Sequence, residues 1–124
     1  MTPDEAGAAW HDGRFSATLK CWVNGALVGE LDTGADMNFS FADLIAHAAH
    51  TRSLGAGTII GSGTVSNRDP ARGVACLAEK RAIEILESGQ AATRYLEPGD
   101  RIRMDAFDRD GNSIFGAMDS RIVG

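Results

Sequence analysis

The sequence predicts an α+β or mainly-β domain built from antiparallel hairpins with one or two helices. Apolar and polar residues alternate over residues 15–23 and again over 101–106, which is the period of a half-buried strand. The dipeptides Asn24-Gly25 and Asp110-Gly111 are typical of tight hairpin turns. Residues 41–51 instead carry apolar side chains at helical spacing.

The first elements are a short helix and a hairpin. Thr2 is a suitable N-cap and Pro3 suits the first helical position, so a helix is expected to end near residue 7 or 10. The alternating strand over 15–23 then turns at Asn24-Gly25, and residues 26–31 return as its partner.

The middle of the chain predicts a capped helix and a buried strand. Ser40 is followed three residues later by Asp43, the pattern of a capping box at the start of helix 41–51. The apolar run Thr58-Ile59-Ile60 lies between glycine-rich turns and predicts a short buried strand.

The last third predicts further β structure. Residues 66–73 read as a loop, whereas residues 75–87 fit a helix or a strand equally well. A turn at Pro98-Gly99 introduces the strand that contains 102–106, and the Asp-Gly turn then leads into a partner strand over 113–118.

Composition indicates one folded domain over residues 1–124. Hydrophobic residues make up 44% and charged residues 23% of the 124 residues, which is ordinary globular usage and disfavours disorder. Because aromatic residues are only 6% while glycines number 15, the core must come mainly from aliphatic side chains joined by tight turns.

Charge and cysteine usage exclude several classes of function. The formal net charge is −5 and no run of cations is longer than Lys80-Arg81, so nucleic acid is not an expected partner. A membrane is not an expected partner either. No apolar stretch approaches the length of a membrane span, and no basic signal-peptide start is present. Cys21 and Cys76 lack metal-site spacing, so we expect reduced thiols in a cytoplasmic protein, with one long-range disulfide as the alternative.

The triplet Asp32-Thr33-Gly34 resembles the active-site turn of retroviral-type aspartic proteases. Those enzymes pair one aspartate from each of two chains to activate water. Here a capped helix follows where an extended loop is needed, and the same triplet suits an Asx turn after a strand. A protease using Asp32 is therefore the third of the functional hypotheses.

Two groups of residues are candidates for a metal site, and each has a simpler interpretation. Asp43, His47 and His50 share one face of the predicted helix, but Asp43 also suits the helix N-terminus. Aspartates at positions 105, 108, 110 and 119 lack the spacing of a calcium loop, which favours a solvated hairpin.

Ser62, Gly63 and Thr64 follow the predicted strand 58–60 and form the strongest local candidate for ligand contact. They lack the lysine of a phosphate-binding loop, and composition alone favours a tight turn. Glycines beside hydroxyls nevertheless bring backbone amides and side-chain donors close to a bound molecule.

Several segments together resemble the C-terminal part of the catalytic domain of the fumarylacetoacetate hydrolase family. Their order and spacing agree over most of the chain: residues 40–48, 57–67, 73–81, 99–103 and 113–117. The resemblance implies a mixed β-roll fold, usually dimeric. It also implies an enzyme of aromatic amino-acid catabolism that hydrolyses the C–C bond of a β-diketo acid of the fumarylacetoacetate or acylpyruvate type.

The resemblance carries two site assignments. Thr64, with Ser62 and Gly63, matches the segment that contacts substrate, where hydroxyl and amide donors bind a carboxylate. Glu79 matches the carboxylate that orients the catalytic histidine, a role that holds the imidazole tautomer. A surface ion pair of Glu79 with Lys80 or Arg81 is the local alternative.

The resemblance also marks what this chain does not match. The family's divalent ion, Mg²⁺ or Ca²⁺, its carboxylate ligands and its catalytic histidine and lysine belong to a region upstream of the part resembled here. We therefore expect no metal ligands in this chain, no cofactor for the chain alone, and a site completed by an N-terminal half on another chain or by a homo-oligomer. The second hypothesis is a non-catalytic remnant that binds a small acid or self-associates.

Overall fold

The computed structural model describes residues 2–124 and is organised around a four-stranded antiparallel sheet in the order β4-β3-β5-β6. A separate two-stranded ribbon pairs β1 with β2. The strands are β1 Trp10–His11, β2 Arg14–Phe15, β3 Thr18–Val23, β4 Ala26–Asp32, β5 Arg101–Phe107 and β6 Met118–Arg121. The α-helices are α1 Pro3–Ala6, α2 Phe41–His50 and α3 Leu77–Ser88, and 3-10 turns cover Gly7–Ala9 and Pro70–Arg72. The predicted α+β class with antiparallel pairing is confirmed.

The β3–β4 hairpin forms at the predicted turn. Asn24 and Gly25 have φ angles of 52° and 83°, the left-handed pair that a type I′ turn requires. The Asn24 amide also donates to Asp100 Oδ1 at 2.8 Å and its oxygen accepts from Arg101 N at 2.9 Å. One turn residue therefore joins the first hairpin to the start of β5.

The two faces of the sheet differ in polarity, because successive side chains of a strand point to opposite faces. Cys21 and Leu31 point to the inner face and are 2% and 0% exposed. The opposite face carries charged side chains such as Lys20, Arg101 and Arg103. Among the described residues the buried apolar core is small and comprises Ala17, Cys21, Leu31 and Val74.

Two glycines allow the loop before α3 to pair closely with the free edge of β4. Gly29 on β4 pairs with Gly73 across an isolated bridge, and Val74 N donates to Val28 O at 3.0 Å. A Cβ on Gly29 would lie 2.3 Å from Val74 O, far inside normal contact. The close approach positions α3 beside the sheet.

Helices α1 and α2 confirm their predicted caps. Thr2 and Glu5 form a capping box at α1. At α2, Asp43 N donates to Ser40 Oγ at 3.2 Å and Ser40 N donates to Asp43 Oδ2 at 2.9 Å. The undecided segment 75–87 is helical, and α3 ends at Gly89, which adopts the left-handed conformation common at helix C-termini.

Two strand predictions are corrected. The strand over residues 58–60 is absent, and Ile59 is 92% exposed, because no neighbouring segment among residues 2–124 offers a backbone ladder to it. The turn after β5 forms, but Ser113 makes only one isolated bridge, to Phe107, and the partner strand begins at Met118.

The structure also bears on the cysteines and on membrane-spanning helices. Cys21 and Cys76 are free thiols, as predicted, and both line an apolar cavity of about 480 Å³. Over residues 2–124, every helix is too short or too polar to cross a bilayer.

Candidate functional site

The predicted substrate-contacting segment lies at a pocket of about 220 Å³ beside the end of β4, here termed the hydroxyl pocket. Ser62 and Thr64 both line it, and both are exposed. Gly63, between them, has a φ of +88°, so glycine is favoured there by conformation. The other lining residues are Thr33, Asp36, Met37, Asn38, Phe39, Leu44, Val65 and Ser66.

The lining of the hydroxyl pocket has two chemical sides. Four hydroxyl groups, from Thr33, Ser62, Thr64 and Ser66, line the pocket. The hydroxyls of Thr33 and Ser66 already donate within the chain, so those of Ser62 and Thr64 are the ones that can donate to a ligand. Apolar side chains, from Met37, Phe39, Leu44 and Val65, form the remaining wall with Asn38 and Asp36. Such a lining suits a small molecule with a polar end and an apolar end.

Asn67 fixes the glycine-rich segment against the end of β4. Its Oδ1 accepts from Asp32 N at 2.8 Å and its Nδ2 donates to Asp32 O at 3.0 Å. Asn67 thus pairs with the Asp32 backbone as a neighbouring strand would. The same Nδ2 donates to Asp36 Oδ2 at 3.2 Å, which also accepts from Arg68 N at 3.0 Å.

The Asp32-Thr33-Gly34 triplet forms the turn that carries one wall of the pocket. Asp32 Oδ1 accepts from the backbone N–H groups of Gly34 at 2.8 Å and Ala35 at 2.9 Å, which is an Asx-type turn. Thr33 Oγ1 donates to Phe15 O and accepts from Ala17 N. These contacts give Asp32 a structural role. They agree with the Asx turn that was the alternative to a protease active site.

Glu79 lies in the first turn of α3 and connects to the hydroxyl pocket through Ser66. Ser66 Oγ donates to Glu79 Oε1 at 2.5 Å, and Ser66 also lines the pocket. Glu79 itself does not line the pocket. Within residues 2–124 it forms no ion pair with Lys80 or Arg81, and Arg81 instead stacks on Tyr95 at 4.4 Å and donates to Thr93 O.

Sequence reasoning missed three residues that build this site: Ser66, Asn67 and Asp36. Ser66 contacts a residue 13 positions away, and Asn67 contacts the end of β4 across 35 positions. The polar run after Thr64 was a visible signal, but its partners depend on the tertiary fold.

The described residues do not form a site for the divalent ion that the family resemblance implies. In the part of the chain from residue 2 to residue 124, no three His, Cys, Asp or Glu side chains converge as a metal site. The carboxylates of Asp32 and Asp36 are engaged by backbone and amide donors. These residues therefore do not fit the ion.

The other two candidate metal groups have structural roles. His47 and His50 are exposed, while hydrogen bonds from the Ser40 hydroxyl and backbone lower the pKa of Asp43 and hold its carboxylate at the helix cap. Asp108 accepts from the backbone N–H groups of Asp110 and Asn112, so the carboxylate closes the turn after β5.

Comparisons with known proteins identify the family. The sequence profile described as "Fumarylacetoacetate (FAA) hydrolase C-terminal" matches residues 1–123. A direct sequence comparison with curated proteins finds no match. The match spans nearly the whole chain, and the family supports a hydrolase-like function in general terms. The chain therefore belongs to the fumarylacetoacetate hydrolase family.

Proposed function

We propose that this chain forms the substrate-side part of an enzyme that hydrolyses the C–C bond of a β-diketo acid of the fumarylacetoacetate or acylpyruvate type. The observation that carries the proposal is the hydrogen bond from Ser66 to Glu79. It links the hydroxyl pocket to the carboxylate that the family resemblance assigns to catalysis. Family membership supports the hydrolase class.

The hydroxyl pocket provides for the acid end of such a substrate. The Ser62 and Thr64 hydroxyls are exposed at the pocket and are available to donate to a carboxylate. Gly63 allows the backbone between them to approach a ligand closely. The apolar wall that includes Met37 and Phe39 then faces the acyl part of the substrate.

Glu79 is suited to orient a histidine supplied by another segment. Ser66 occupies Oε1, and among residues 2–124 no group donates to Oε2. The second oxygen is therefore available to accept from an imidazole N–H. A carboxylate in that position fixes the tautomer and stabilises the imidazolium that forms when the histidine takes a proton from water.

The remaining parts of the proposed enzyme lie outside this chain's described residues. The divalent ion that the resemblance implies, Mg²⁺ or Ca²⁺, would be held by residues outside the described part of this chain and would supply Lewis-acid chemistry there. Its ligands, the catalytic histidine and the rest of the β-roll come, in this proposal, from an N-terminal half or from a partner copy in a cytoplasmic assembly. The unpaired segment that contains Ile59 supports such a completion.

Complementation tests the proposal. The chain is combined with the upstream segment of a fumarylacetoacetate hydrolase enzyme, and the loss of acylpyruvate absorbance is followed with Mg²⁺ present. We expect the combined protein to hydrolyse the substrate. We expect Thr64→Val to increase KM and the exposed control Thr51→Val to leave KM unchanged. No hydrolysis of any acylpyruvate by a folded assembly contradicts the proposal.

A second candidate is binding of a small acid without catalysis. The hydroxyl pocket is formed by residues of this chain alone, which favours it. Calorimetry with pyruvate and acetopyruvate on the isolated chain separates the two. Saturable binding that Thr64→Val weakens, with no turnover after complementation, assigns the chain to this second function.

A further inference from the structure

The outer face of the sheet carries a row of three arginines close to its β5–β6 edge. Arg101 and Arg103 lie two residues apart on β5, so their side chains project to the same face. Arg121 on β6 lies directly opposite Arg101 in the antiparallel register and shares that face. We term Arg101, Arg103 and Arg121 the arginine strip.

The positive charge of the arginine strip is only partly balanced. Asp119 accepts from Arg101 Nε and Nη2, each at 2.6 Å, in a bidentate pair. Arg103 packs over the Trp22 ring at 5.3 Å and lies 3.8 Å from Asp105. Between residues 2 and 124, the side chain of Arg121 has no hydrogen-bond or ion-pair partner.

The placement of Arg121 opposite Arg101 is unfavourable without an anion. Like charges directly opposite one another on a sheet repel and destabilise the pairing. Both oxygens of Asp119 accept from Arg101, and among the described residues Asp119 forms no ion pair with Arg121. The chain as a whole carries a net charge of −5, so this local positive surplus contrasts with the rest of the molecule.

Two open grooves flank the strip and meet at Arg101 and Asp119. One, of about 540 Å³, is also lined by Trp22, Arg103 and the turn at Asn24-Gly25. The other, of about 560 Å³, is lined by Gly99 and Arg121 as well. None of these residues lines the hydroxyl pocket. The strip therefore has room for a small ligand beside its guanidinium groups.

We propose that the arginine strip binds a phosphate-type oxyanion, either free or carried on a small metabolite. The planar guanidinium fork matches the oxygens of a phosphate and binds them by charge-assisted, often bidentate hydrogen bonds. An oxyanion between Arg121 and Arg101 offsets the cross-strand repulsion. This site is independent of the proposed hydrolase activity.

Calorimetry at pH 7 and low ionic strength, with inorganic phosphate as the probe, tests the site on the full chain. Saturable binding is expected, with Arg121→Gln weakening it about tenfold, as loss of a hydrogen bond to a charged group predicts. Arg109→Gln removes an exposed arginine elsewhere and is expected to leave the affinity unchanged. Circular dichroism confirms that both variants fold.

Two further ligands identify the source of the anion. Tighter binding of glycerol phosphate than of inorganic phosphate assigns the site to a phosphorylated metabolite, whereas equal affinity assigns it to free phosphate, and either result supports the proposal. Absence of saturable phosphate binding, equal affinity in Arg121→Gln and the wild type, or binding of a glutamate-rich peptide alone overturns it.

Discussion

At the scale of single residues, Ser66 and Asn67 decide how the candidate site is built. Asn67 holds the glycine-rich segment against β4, and Ser66 then reaches both the hydroxyl pocket and Glu79. The sequence predicted Thr64 and Glu79 through a family resemblance, because those positions lie in recognisable motifs. It did not predict Ser66 or Asn67, because their roles depend on contacts with residues that are distant in the chain.

Removing the Ser66 hydroxyl tests its role as a positioning residue for Glu79. In a complemented, active protein, Ser66→Ala is expected to lower kcat about tenfold or more with little change in KM, since one hydrogen bond to a charged group is lost. Ser66→Thr keeps the hydroxyl and is expected to restore most of the rate. Equal kcat values for Ser66→Ala and the wild type would refute the role.

Asp100 is expected to make the free energy of unfolding depend on pH. Hydrogen bonds from Arg94, then from Asn24 and the backbone N–H of Glu97, hold the pKa of this carboxyl well below its usual range. The carboxyl is also almost fully buried. Because the folded pKa lies below the unfolded value of about 3.9, its stabilising contribution is complete above that pH. It is lost as the pH falls toward the lowered pKa.

The matching measurement compares Asp100→Asn with the wild type. The variant is expected to unfold several degrees lower at pH 7, and the difference between the two proteins is expected to shrink at pH 3. Asp110→Asn, at an exposed position, is the control. A difference that is the same at both pH values would show that the charge of Asp100 does not stabilise the fold.

At the scale of elements, helix caps and turns were predicted correctly from local sequence, whereas the pairing of distant strands was not. The capping box at α2 and the Asn24-Gly25 turn depend on neighbours in the sequence, and both form. The strand over residues 58–60 has suitable residues, but a strand requires a partner, which the sequence pattern cannot supply. Segment 75–87 carries mixed periodicity, so the sequence left helix and strand open, and the structure shows the helix α3 there.

The close pairing of Gly29 with Gly73 can be tested by substitution. Gly29→Ala is expected to destabilise the fold by about 1–3 kcal/mol, because the added methyl group overlaps Val74 O and forces the backbones apart. Gly55→Ala is the matched control, since a Cβ there meets nothing within 4 Å. Urea denaturation measures both variants, and equal midpoints would contradict the close approach.

At the scale of the whole molecule, the chain exposes more surface than its mass predicts. Its accessible area is 8554 Å², whereas a folded monomer of 13.1 kDa exposes about 6,400 Å². Large apolar side chains contribute to the excess, including Phe39 and Phe115, both 67% exposed, and Ile59. The excess is comparable with the area that one partner loses in a large obligate interface.

The isolated chain is therefore expected to self-associate. Light scattering coupled to size exclusion is expected to show a mass above 13.1 kDa that rises with concentration, because exposed apolar faces and the unpaired segment at Ile59 attract one another. Ile59→Lys is expected to shift the distribution toward the monomer, whereas a clean wild-type monomer at high concentration contradicts the prediction.

The central claim is that Glu79 serves catalysis in a completed enzyme, and one measurement tests it most directly. Initial rates of acylpyruvate hydrolysis are compared for the complemented wild type, Glu79→Gln and Glu87→Gln, the last an exposed glutamate on the same helix. The account predicts a fall in kcat of about a hundredfold or more for Glu79→Gln, as expected when a general base loses its orienting carboxylate, and no change for Glu87→Gln. Equal rates for Glu79→Gln and Glu87→Gln would contradict it.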